Sequence, residues 1–127
     1  MRVKGLNISF SFISLLITCC LGVVQAGLAQ TQSLSGEIMD DLCAKDKSHK
    51  GMMEQMKEMS GDPVTCTKKC VEMGAHYVLY DHQKDVVYKI DNQEKAEPFA
   101  GKQVRISGTV QKNKIKIDTI ETAGTPK

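Results

Sequence analysis

Tryptophan is missing from this sequence, and the chain has only three tyrosines and three phenylalanines. Two of those phenylalanines, Phe10 and Phe12, lie in the N-terminal leader, so the rest of the chain keeps Phe99 alone. Surfaces that stack sugars, and grooves that grip peptides through aromatic anchors, need more ring area than this. Charge of one sign is missing too. The net charge is +2, and Arg2 and Lys4 in the leader account for it. The remainder is balanced and carries no basic block, so it lacks the electrostatic footprint that a phosphate backbone requires. Nucleic acid is therefore not an expected partner. There is no Gly-rich phosphate loop, no nucleophile elbow and no Cys-x-x-Cys motif. The carboxylates are spread evenly, without the converging pair that acid–base catalysis needs. The adjacent pair Asp40 and Asp41 would point to opposite faces of a strand. A catalytic role is not expected.

The leader has three parts: a basic start, the apolar run "FSFISLLITCCLGVVQA", and small residues at Val24-Gln25-Ala26 or Gly27-Leu28-Ala29. This is the layout of a secretory signal peptide, here residues 1–29. The run is short for a membrane span, and no stop-transfer pattern follows it. No membrane span is expected in the mature chain. Cys19 and Cys20 lack the small residue that a lipobox places just before its cysteine. The expected destination is outside the cytoplasm, periplasmic or secreted, where disulfides persist.

What remains is one small domain of roughly a hundred residues, a size at which a core is only just sufficient. "SLSGEIMDDLC" reads as a first strand opening after Gly36. Residues 46–60, "DKSHKGMMEQMKEMS", have helix-forming composition, with Met52, Met53, Met56 and Met59 at helical spacing. Such a stripe ordinarily packs a helix onto its neighbours. Gly61-Asp62-Pro63 stops that helix. A shorter helix follows from Val64 or Thr65 to Met73, capped by Thr65 and ended by Gly74. Then the period changes from 3.6 to 2. "AHYVLYD" and "VVYKI" form a hairpin about the turn "HQKD", which puts His76 and His82 at the surface or the barrel rim. A connector with a helical turn leads to "KQVRISGTV", the turn "QKNK" and "IKIDTI". Gly108 inside a strand marks a bulge. The expected fold is mainly β: a five-stranded OB-like barrel over residues 30–122, with a helical insertion at 43–73 between strands 1 and 2, and a frayed tail at 123–127.

Chemistry rests on Cys43, Cys66, Cys70 and His49. Cys66 and Cys70, at i and i+4, project from one helix face. Both lean the same way, which makes a bridge between them awkward. One option is a disulfide from Cys43 to Cys66 or Cys70. It would be worth about 3 kcal/mol by chain entropy and would leave one thiol over. Another is a metal site: three thiolates and an imidazole are the donors that tetrahedral zinc accepts, and soft sulfur beside a Met-rich helix also suits Cu(I). A third is a redox pair, which needs a thiol of depressed pKa.

The series Gly36-Glu37-Ile38-Met39-Asp40 to Cys43, then His49, Cys66 and Cys70-Val71, "GAHYVLYD", "FAGKQVRISGTV" and "IKIDTI" resembles a family of small exported bacterial OB-like proteins of uncharacterised function. The likeness runs from Gly36 to about Thr122, with Cys43, His49, Cys66 and Cys70 on that family's Cys and His positions. It implies bacterial origin and export. The Met-rich helix is longer than that pattern leads one to expect. A second, weaker likeness is to periplasmic copper chaperones, small OB barrels that bind Cu(I) through His and Met; it extends to fold class and compartment. The expected partners are a metal ion, Zn or Cu(I), and, if the sulfurs bridge instead, a protein of the cell envelope.

Overall fold

The computed structural model describes residues 29–56 and 61–124. The signal-peptide expectation and residues 125–127 of the tail lie outside these residues, as does Met59. Five strands, β1 (Gln30–Asp40), β2 (Tyr77–Asp81), β3 (Val86–Ile90), β4 (Gln103–Gln111) and β5 (Lys114–Thr122), close into a barrel in the order β1-β2-β3-β5-β4. Every pairing is antiparallel except β3 with β5, which is parallel and only two residue pairs long. This is the expected OB-like barrel. Among the described residues three short α-helices accompany it: α1 (Lys50–Gln55) and α2 (Pro63–Glu72) between β1 and β2, and α3 (Gln93–Ala96) between β3 and β4. Among the described residues no helix is long and apolar enough to cross a membrane.

Local chemistry accounts for most of the elements. The β2–β3 turn spans residues 82–85, as expected. The Asp81 carboxylate accepts from the N–H groups of Gln83 and Lys84, and Asp85 takes the left-handed conformation with φ +58°. The register shifts between Ser107 and Gly108, which is the expected bulge.

The structure corrects three element boundaries. β1 runs the length of β4 from Gln30 and carries Gly36 in its interior instead of starting after it. The first helix covers six residues and not the stretch from Asp46: a 3-10 turn at Cys43–Lys45 and a left-handed Lys47 (φ +54°) intervene, and Met56 is extended. α2 begins at Pro63 and not at Val64 or Thr65, because proline suits a first helical position. Its cap is Asp62, whose carboxylate accepts from the N–H of Thr65.

Two apolar clusters share one wall. Ile38, Leu79, Ile90, Val104, Ile106, Ile115 and Ile117 fill the barrel. On the outer side, Met39, Val78 and Tyr80 pack with Cys43, Ala44, Cys66 and Cys70, and with half-buried Met52 and Met53. All five residues of β2 are buried, because both faces of the strand are covered. α2 reaches the wall through Gly101. That residue has φ +67°, and a Cβ there would run into the backbone of Pro63 and Val64.

Gly101→Ala is therefore expected to destabilise the protein by about 2–3 kcal/mol in urea unfolding. Gly74→Ala also sits at positive φ (+106°) but in open space, so it should cost only about 1 kcal/mol. Equal losses for the two variants would contradict the close packing of α2 on Gly101.

Candidate metal centre

The sulfurs meet on the outer side of the β1–β2 wall. Cys43 opens the 3-10 turn directly after β1, while Cys66 and Cys70 stand one turn apart on the buried face of α2. All three are at most 2% exposed, and the ligand atoms of the trio lie within 4.8 Å of one another. Cys43 Sγ and Cys66 Sγ are 3.7 Å apart. Neither expected bridge is present: each of the three is a free thiol, and 3.7 Å is contact distance, far from the covalent separation of about 2.05 Å.

His49 comes to the same place by another route. The chain leaves Cys43, turns back through Lys47, and enters α1 with His49 as the preceding residue. The Cys43 carbonyl accepts from the N–H of both Asp46 and Ser48, which closes this loop on itself. An ion pair from Lys47 to Asp85 moors it to the β2–β3 turn. One ligand atom each of His49, Asp40 and Cys43 lie within 4.8 Å of one another. The donors thus form two triads that share Cys43: the three sulfurs, and Asp40 with Cys43 and His49.

Asp40 was not among the expected ligands. As the last residue of β1 it is fully buried, and its Oδ1 accepts from the N–H of Leu42 (3.1 Å) and Cys43 (2.8 Å). The other oxygen, Oδ2, is buried without a partner. The sequence does hold a signal for it: an aspartate two and three residues ahead of a turn accepts such bonds, so Asp-x-x-Cys ties carboxyl and thiol to one turn. Asp41 does face the opposite way, toward His76.

Glu37 is the second residue missed. Its Oε1 accepts from His49 Nε2 at 2.8 Å, while Oε2 faces His82 Nε2 at 3.2 Å and Gln103 Nε2 at 3.1 Å. Burial pushes this carboxyl up, but the hydrogen bond and charge of His49, followed by those of His82, outweigh it and hold the group below its usual range. A carboxylate can only accept, so Nε2 of His49 carries the proton. Nδ1 is buried without a partner, and in the neutral ring it is the nitrogen with a lone pair to offer. A ligating imidazole commonly has this arrangement, with its other nitrogen held by a carboxylate. His82 sits at the barrel rim and His76 at the surface, as expected; neither belongs to the two triads.

No family model, curated protein or solved structure matches this chain. The chemistry of the cluster is therefore read from its own atoms. Burial pushes all three thiols up, Cys70 to about 12, and the negative charge of Asp40 pushes the same way. A redox thiol needs the opposite shift. Cys66 is the fourth residue of α2, with its N–H already bonded to the Asp62 carbonyl, and it does not gain the lowering that a helix N-terminus would give. Three thiols, a carboxyl oxygen and an imidazole nitrogen, converging in a dry layer with two of these atoms unpaired, could bind a metal ion.

Without metal, the native thiols should react slowly with iodoacetamide, at least tenfold more slowly than in urea, because they are buried and protonated. Mass spectrometry of the alkylated chain measures this directly. One rapidly labelled cysteine among the three would contradict the packing described.

Proposed function

We propose that this chain is an exported, non-catalytic domain that binds a single metal ion through Cys43, Cys66, Cys70 and His49, with Asp40 beside them. The observation that carries the reading is the pair of buried, unpartnered atoms, Asp40 Oδ2 and His49 Nδ1, next to three buried sulfurs. A buried polar atom without a partner costs about 1–3 kcal/mol, and a cation bound to both would remove that cost. It would also offset the charge of a carboxylate and three thiolates, which no protein interior tolerates unpaired.

The donor chemistry suits Zn²⁺ best. Three sulfurs with one nitrogen are a closed structural set, and the extra oxygen is a harder ligand than Cu(I) prefers. Cu(I) is the runner-up, supported by Met52 and Met53, which pack against the apolar cluster that holds the three cysteines. A structural ion here would join the end of β1 to α2, as a staple does in a small domain. Export, periplasmic or beyond, follows from the leader, and membership of the uncharacterised exported family from the motif series. The alternative, an envelope-protein binding module stapled by a disulfide with one thiol left over, finds less support. The same is true of a thiol redox protein.

Native mass spectrometry of the purified chain should show one Zn²⁺ adduct, and Cys70→Ser should abolish it. His49→Ala, which leaves the three sulfurs in place, should weaken binding and keep the fold, as read by circular dichroism. Binding must expel the thiol protons, which are held at neutral pH because burial raises these groups. The apparent affinity should accordingly fall as pH falls, by up to about tenfold per pH unit for each proton released. A chain that takes up neither Zn²⁺ nor Cu(I), or whose mass is two protons below the reduced value, would reject the proposal.

A further inference from the structure

A depression of about 690 Å³ opens on the outside of the barrel, over β2 and β3. Its apolar floor is made by the outward-facing Ala44, Val78 and Val87, and Tyr77 and Ile90, which belong to the barrel interior, border it. Its rim comes from the segment after β1, from Asn113 in the β4–β5 turn and from Lys114 at the start of β5. The opening exists because β5 pairs with β3 only at Lys89–Lys114 and Ile90–Ile115, which leaves Val86 to Tyr88 without a strand on that side. Volumes of 300–1,000 Å³ with an apolar lining and a few polar groups are those of small-molecule sites.

The charges around it are uneven. Lys114 is paired with Asp91 at 2.9 Å, and Asp41 accepts from the backbone N–H of His76 and keeps its negative charge, so three lysines face two carboxylates. Lys45 and Lys89 also line the depression, and among the described residues neither has a carboxylate partner. Lys89 stands directly across from Val78 in the β2–β3 register, so an ammonium group rises beside the apolar floor. Gln93 adds no free polar group. Its oxygen accepts from the Tyr77 N–H, and its nitrogen donates to the carbonyls of Tyr77 and Ile90.

We propose that this depression binds a small organic acid with an apolar body. The acid group would be held by Lys45 and Lys89, and the body would lie on Val78 and Val87. The charge pattern selects an anion over a neutral lipid, and the balanced chain selects a small acid over an oligonucleotide. This site does not include the sulfurs, although Ala44, Val78 and Val87 border both.

The test uses 8-anilinonaphthalene-1-sulfonate as a fluorescent probe and decanoate as a competitor, with decanol as the neutral isostere. The expected result is one saturable probe site from which decanoate displaces the dye while decanol at equal concentration does not. Lys45→Glu with Lys89→Glu should lower probe affinity about tenfold or more at low salt, with an unchanged melting temperature. Lys116→Glu, on β5 and outside the depression, should leave it unaltered. Non-saturating binding, equal competition by decanol, an equal loss with Lys116→Glu, or displacement by a single-stranded oligonucleotide instead of decanoate would each overturn the proposal.

Discussion

Where the end of β1 (Ile38–Asp40) pairs with β2, the wall is dry on both sides, and the rest of the molecule is arranged around that constraint. In most small barrels one face of each strand meets water. Here Ile38 and Leu79 point into the barrel while Met39, Val78 and Tyr80 point out into a second apolar layer. At about 25 cal/mol per Å² of apolar surface, leaving that outer face wet would forfeit several kcal/mol in a domain with little to spare. The segment between the two strands supplies the cover, and its cysteines are part of the covering surface. Gly101 makes the fit possible, since only a residue without a side chain lets α2 approach so closely.

Placing the sulfurs in a dry layer has an electrostatic consequence. A thiol there resists ionisation, and Asp40 deepens the resistance. The same surroundings make an unpaired carboxyl oxygen and an unpaired imidazole nitrogen costly. Packing alone accounts for buried cysteines, because a free cysteine is a good small hydrophobe. It does not account for an aspartate and a histidine placed beside them with one atom each left over. That surplus of donors could hold a metal ion.

Much of the barrel can be read along the chain. The alternation in "KQVRISGTV" and "IKIDTI", the polar turn "HQKD" and the glycine at 108 are local signals, and each element they imply is where they place it. The region from Asp46 to Ser60 was harder to read. Its methionines, glutamates and lysines favour a helix in isolation, yet the chain first turns back through Lys47 so that His49 meets Cys43. Propensity is a weak prior against such a tertiary demand. Asp40 and Glu37 were missed for a related reason. Each looks like an ordinary solvated carboxylate until the fold shows what covers it.

The order of elements and the barrel class were settled by the sequence alone, because hydrophobic period and turn chemistry act over a few residues; it also offered the three cysteines and His49 as donors. Only the tertiary structure decided that Cys43 meets a pair more than twenty positions away, that no bridge joins them, that Asp40 lies beside Cys43 and His49, and that Glu37 holds His49. It alone also left an open depression between β3 and the β4–β5 turn. Those outcomes depend on how two layers close over one wall, and closure is a long-range property that no short stretch of residues encodes.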